Sequence, residues 1–137
     1  MRVLALDIGD KRIGVAVSDP LGITAQGLET YTRTGDLDKD TDYLIALANK
    51  YKPVRLLFGM PRNMDGSRGE SAQRAEAFAA ALGEKTGCEV VLWDERMTTV
   101  SAIGYLNQND VRGKKRKQVV DTVAATIILQ SFLDSRK

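Results

Sequence analysis

A chain of 137 residues, 43% hydrophobic and 28% charged, fits one soluble globular domain spanning residues 1–137 that buries about two-thirds of its unfolded surface. Its net charge of +2 is too mild to mark a nucleic-acid binder by itself, its single cysteine, Cys88, excludes an internal disulfide, and no apolar run approaches a membrane span. Histidine is absent, which excludes a His general base, a Ser-His-Asp triad and His-ligated zinc, so any chemistry must run through carboxylates, lysine, hydroxyls, the thiol or a bound cofactor.

In chain order, apolar runs from Val3 to Ile8 and from Ile13 to Val17 flank Gly9-Asp10-Lys11-Arg12 and read as a β-hairpin. The first run is apolar at successive positions, as a strand covered on both faces is. Asp7 interrupts it near its end, where a carboxylate is costly unless paired, hydrogen-bonded or bound to a metal. The chain reaches Asp7 before a signal-peptide core forms, so a cytoplasmic location is expected. A third strand is expected over Ile23 to Tyr31, after the turn Asp19-Pro20-Leu21-Gly22. Thr34-Gly35-Asp36 introduces a helix with an apolar face of Leu37, Leu44, Ile45, Leu47 and Ala48, stopped by Pro53. Val54 to Phe58 is a short strand ending at Gly59-Met60-Pro61.

Arg62 to Ser67 reads as a polar loop, with Ser67 and Glu70 as a capping box for a helix through Ala72, Ala75, Phe78, Ala79 and Leu82 that Gly87 ends. Glu89 to Trp93 is the next strand, and Thr98 caps a helix through Ala102, Ile103 and Leu106. Asn107 to Lys117 reads as a basic loop, and a last helix spans Arg116 to Leu133. The order β-β-β-α-β-α-β-α-α predicts a mixed, five-stranded α/β sheet with helices on its faces.

Sites in such sheets form at the carboxyl ends of parallel strands. Asp7 ends the first strand, Glu95 lies just beyond the last, and Asp121 shares a helical face with Ala124, Ala125 and Ile128. Converging carboxylates need protons or cations, and oxygen ligands suit Mg²⁺ or Mn²⁺. Two such ions about 3.5–4 Å apart serve phosphodiester cleavage without histidine. Plainer readings stand beside this one. Asp7 caps the hairpin turn, Glu95 pairs with Arg96, or Asp121 pairs with Lys117.

Taken together, Leu6-Asp7-Ile8-Gly9, Gly59 to Ser67, Asp94 to Thr99, and Lys115-Arg116-Lys117 before Val120-Asp121 and Ala124-Ala125 closely resemble the YqgF/RuvX family across nearly the whole chain. These are pre-16S rRNA nucleases related to Holliday-junction resolvases. The resemblance implies an RNase H-like fold with strand order 3-2-1-4-5, strand 2 antiparallel, and Asp7, Glu95 and Asp121 as catalytic, metal-binding acids. RNase H-like resolvases usually carry an acid at the end of the fourth strand, where this chain has Gly59-Met60-Pro61. Glu95 would substitute, with Asp94 its competitor.

Arg112, Lys114, Lys115, Arg116 and Lys117 put five cations within six residues, before the helix of Asp121. This suits a phosphate backbone, against the bland alternative of a solvated charge run. Arg62, Asn63 and Arg68 are weaker candidates, and Lys11 either approaches a phosphate or solvates the hairpin. Aromatic residues are only 6% and none lies in the basic run, so base stacking is not the evident mode.

The leading expectation is a metal-dependent nuclease, monomeric or homodimeric, maturing the 5′ end of pre-16S rRNA. Cleavage of branched DNA at four-way junctions is the near rival, and a stable two-fold dimer would favour it. A non-catalytic assembly factor forms a second class. Nucleotide handling, suggested by the Asp7-Ile8-Gly9 hairpin, forms a third, weakened by the lack of a Walker-type loop.

Overall fold

The computed structural model describes residues 2–9, 11–53, 55–60, 69–94 and 113–135, giving the backbone alone for 60, 70, 71, 94 and 113–121. Its elements are β1 (Val3–Ile8), β2 (Arg12–Ser18), β3 (Ala25–Thr32), α1 (Leu37–Tyr51), β4 (Arg55–Met60), α2 (Glu70–Thr86), β5 (Glu89–Asp94) and α3 (Gly113–Ser135). The five strands form one sheet in the order β3-β2-β1-β4-β5. β2 runs antiparallel to β1 and β3, whereas β4 runs parallel to β1 and β5. The mixed sheet and its strand order are those expected. The carboxyl ends of β1, β4 and β5 therefore lie together at one edge, with the β1–β2 turn and the end of β3.

β1 is central because both of its faces are apolar. Leu4, Leu6 and Ile8 join Ile13, Val15, Leu56, Phe58, Phe78 and Leu82 in a core beneath α1 and α2. Val3 and Ala5 join Ala16, Leu57, Ala125, Ile128, Leu129 and Phe132 beneath α3. The second interface is lined by small residues, so α3 lies close to the sheet. A Cβ on Gly27 would sit 2.7 Å from Thr122 Cγ2.

Helix limits follow local chemistry. Asp36 caps α1 by accepting from the backbone N–H groups of Asp38 and Lys39. Gly87 closes α2 with a positive φ of 73°, as expected. Three expectations shift. β3 starts at Ala25 because the Asp19 carboxylate accepts from the N–H groups of Leu21, Ile23 and Thr24, folding that stretch into a turn. α2 is capped by extended Gly69 and begins at Glu70, so Glu70 is its first residue and cannot complete a capping box with Ser67. α3 begins at Gly113, so Lys114 to Lys117 are helical and not part of a loop. Lysine and arginine are good helix formers, and nothing after Gly113 breaks the run. The helix expected from Thr98 lies outside the described residues.

Candidate functional site

Side chains alternate along β1, so Asp7 follows Val3 and Ala5 onto the α3 face, half-buried at the strand's carboxyl end. Its partner across the antiparallel ladder is Gly14, whose own partner is Thr30. Asp7, Gly14 and Thr30 thus form one row across the sheet, with no side chain between the carboxylate and the threonine. The next row, Ala5, Ala16 and Gly27, is also small.

α3 is fixed over these rows by polar contacts at both ends of β3. The Thr30 and Thr122 hydroxyls lie 2.5 Å apart. Gln130 accepts from the Ala25 N–H and donates to the Ile23 carbonyl. Position 121, one residue before Thr122, therefore lies at the sheet end that carries Asp7. It also continues the stripe of Ala125, Ile128 and Phe132, which are buried against the sheet.

The turn after β1 is braced. Gly9 N–H donates to the Arg12 carbonyl, and a Cβ on Gly9 would meet that oxygen at 2.7 Å. Arg33 Nη1 donates to the Gly9 carbonyl at 3.0 Å, and the Arg33 N–H donates to the Lys11 carbonyl at 2.9 Å. Arg33 Nε lies 3.7 Å from Asp40 Oδ2, and its guanidinium sits over the Phe78 ring. Asp40 is fully buried and accepts from Tyr31 Oη and from both the N–H and hydroxyl of Thr34. Burial pushes its carboxyl up, but those three hydrogen bonds and Arg33 outweigh this and hold it below the usual value. The Tyr31 phenol is pushed up to about 12 by burial and by that carboxylate.

Of the expected site residues, Asp7, position 121 and the basic run at 114–117 come to one end of the sheet, with exposed Lys11 on the adjoining turn. Asp94 ends β5 at the same edge. Glu95, Arg62, Asn63, Arg68 and Arg112 lie outside the described residues. Among the described residues, no three Asp, Glu, Cys or His side chains form a metal-binding group, and no helix is long and apolar enough to cross a membrane. The sequence reading did not pick out Arg33, Arg74 or the Thr30–Thr122 contact. The signal was slight, an arginine in a Thr-Arg-Thr-Gly turn and another between two buried alanines.

A family model described as RuvX, Holliday junction resolvase, matches residues 1–135. The chain belongs to the RuvX family. A protein of Halalkalibacterium halodurans is 48% identical over 138 residues, covering 100% of this chain and 99% of its own length. One from Pelotomaculum thermopropionicum is 47% identical over 136 residues, covering 99% of this chain and 88% of its own. Both bear names that provisionally assign them as pre-16S rRNA nucleases. Among solved structures, Thermus thermophilus RuvC in complex with a Holliday junction substrate aligns with TM-score 0.64 at 13% identity, over 99% of this chain and 95% of that one. The yeast mitochondrial Holliday junction resolvase Ydc2 aligns with TM-score 0.56 at 15% identity, over 96% and 77%. This RuvX chain has the RNase H-like fold of those resolvases.

Proposed function

We propose that this RuvX chain is a divalent-metal-dependent nuclease that hydrolyses phosphodiester bonds in structured nucleic acid. Its assigned task is maturation of the 5′ end of pre-16S rRNA in the cytoplasm. The observation that carries this reading is the row of Asp7, Gly14 and Thr30, clamped by the hydroxyl contact to Thr122 beside position 121. It supports bringing carboxylates from β1 and α3 to one sheet end, where Asp7, Asp121 and Glu95 would hold one or two Mg²⁺ or Mn²⁺ ions. The donor chemistry fits a hard cation. The candidates are all carboxylates, the chain has no histidine, and its one cysteine, Cys88, points at the Pro53 carbonyl. Such ions supply Lewis acidity and a nucleophilic water at neutral pH.

The chain's own part is positioning. The hairpin braced by Arg33 fixes Asp7, and α3 carries Asp121. Cations at Lys114, Lys115, Arg116 and Lys117 open α3, with no acid in its first turn. Cations are unfavourable at a helix N-terminus, by about 0.3–1 kcal/mol each, unless an anion is bound there. This inverted pattern supports contact with a phosphate backbone, to which Arg112 of the same basic run is also assigned, with Arg62, Asn63 and Arg68 as secondary contacts.

The test compares the protein with Asp7→Asn on a labelled pre-16S 5′ fragment and a four-way DNA junction, in Mg²⁺, Mn²⁺ and EDTA. Metal-dependent cutting of the RNA should fall by more than about 100-fold in the variant, beyond the usual cost of losing a partner behind a metal ligand. Binding should persist. Cutting of the junction alone, by a two-fold dimer, would favour the resolvase reading that the family description carries. Undiminished cutting by Asp7→Asn would refute the site.

A further inference from the structure

The ladder between β1 and β2 ends at Ile8 and Ile13, one pair beyond Asp7 and Gly14. Inside the turn that follows, the Gly9 N–H donates to the Arg12 carbonyl at 2.8 Å. Arg33 then ties the turn to the end of β3 twice. Its backbone N–H donates to the Lys11 carbonyl, and its Nη1 donates to the Gly9 carbonyl. A cleft of about 460 Å³ opens beside the turn, with Lys11, Arg33 and Arg74 in its lining. On that side the turn borders open space, so the bonds from Arg33 take the place of packing.

Arg33 is itself anchored. Its Nε lies 3.7 Å from Oδ2 of Asp40, in the first turn of α1, and its guanidinium sits 5.2 Å from the centre of the Phe78 ring. Asp40 is fixed in turn by Tyr31 and Thr34, and Tyr31 stacks on Tyr43 of α1 with ring centres 4.1 Å apart. A chain of contacts therefore runs from α1 through Asp40 and Arg33 to the backbone two residues after Asp7. Tyr31 and Phe78 belong to the core beneath α1 and α2, whereas Asp7 lies on the α3 face. The guanidinium thus reaches Asp7 only through the backbone.

We infer that Arg33 is a positioning residue for the metal centre at Asp7, fixing the turn, with Asp40 behind it, so that the carboxylate stands where a divalent cation needs it. The inference rests on the metal-dependent nuclease reading of Asp7. Metal–oxygen distances are held to within about 0.2 Å, so a small shift of the turn is felt at the ligand. Residues behind a metal ligand are worth about 10–100-fold in affinity, and Arg33, acting through the backbone, belongs near the lower end. Charge alone predicts the opposite sign, since a guanidinium repels a divalent cation and its loss would tighten binding. Lysine is no substitute, because a single ammonium lacks the planar fork that serves the Gly9 carbonyl and Asp40 at once.

The test reads Mn²⁺ binding to the protein, without nucleic acid, from the loss of the free-ion electron paramagnetic resonance signal. It compares the parent, Asp7→Asn, Arg33→Lys, Arg33→Gln and Asp40→Asn. Val90→Ala is the control, since it loosens the contact of β5 with Gly83 of α2 without touching the turn. Affinity should fall about 10-fold in both Arg33 variants and several-fold in Asp40→Asn. Val90→Ala should bind as the parent does although its melting midpoint drops. In the RNA cleavage assay, excess Mn²⁺ should restore most of the rate of Arg33→Lys and none of that of Asp7→Asn. Parent affinity in Arg33→Lys, or tighter binding by Arg33→Gln, overturns the inference and leaves the nuclease reading standing. Asp40→Asn decides in the same way where the Arg33 variants do not fold. An equal weakening in Val90→Ala reduces the effect to stability and overturns the inference too. Mn²⁺ binding unchanged by Asp7→Asn would refute the metal site, and the positioning role with it.

Discussion

Gly27→Ala tests whether the seat of α3 sets the geometry at the carboxyl end of β1. The new Cβ would lie 2.7 Å from Thr122 Cγ2 and 3.0 Å from Thr126 Oγ1. Relaxed carbon contacts are about 3.5–4.0 Å, so α3 must retreat by roughly 1 Å or a threonine must leave its rotamer. Neither threonine turns freely. Thr126 Oγ1 donates to the Thr122 carbonyl at 2.8 Å, and Thr122 Oγ1 contacts Thr30. Overpacking of this kind costs about 1–3 kcal/mol. At about 3–5 °C per kcal/mol for a chain of this size, the melting midpoint should drop by roughly 3–15 °C. Cleavage should fall further than stability explains, since a misplacement of about 1 Å at a reacting centre can cost about 100-fold. Thr122→Ser removes the clashing methyl and keeps the hydroxyl, so the double variant should regain most of both losses. Thermal unfolding by circular dichroism, paired with the RNA cleavage assay, reads the two effects. A Gly27→Ala protein within about 0.5 kcal/mol of the parent, or a double variant no better than the single, would refute the close seat of α3.

Asp40→Ala leaves Tyr31 and Thr34 without their buried acceptor and Arg33 without its buried counter-charge, and should cost about 3–5 kcal/mol in urea unfolding, with Asp40→Asn costing less. Because the Asp40 carboxyl is held below its ordinary value of 3.8, its contribution is present above that value and lost as pH falls through the lower folded value. The stability gap between the protein and Asp40→Asn should therefore be flat near neutrality and close below about pH 4; a gap constant down to about pH 2 would refute this. Asp36→Ala removes the cap on α1 and should cost about 1 kcal/mol in the same assay, with Asp36→Asn close to neutral.

Where one local effect decides an element, the sequence is a sufficient guide. The unbroken apolar run of β1 announces a strand covered on both sides, and Asp36 and Pro53 bracket α1. Where two effects compete, it misleads. Ile23 and Thr24 have strand-like side chains, but the Asp19 carboxylate captures their N–H groups first. Lys114 to Lys117 look like a solvated loop by charge and are helical by propensity. Asp7 stands out in sequence because a lone acid in an apolar run is conspicuous. Arg33 and Arg74 do not, since only the packing of the hairpin against α2 places them in one cleft.

The hydroxyl contact between Thr30 and Thr122 joins residues 92 positions apart, and the bond from Ala25 to Gln130 spans 105. Such contacts form late, because a long loop must close before they return any stabilisation. β1, β2, β4, α1 and α2 can assemble around their own core with the α3 face still bare. A nascent chain at that stage would already display Asp7, but it would lack Asp121 and the basic opening of α3. If Asp7 and Asp121 form the proposed site, a chain halted before α3 would hold only the first of its two carboxylates.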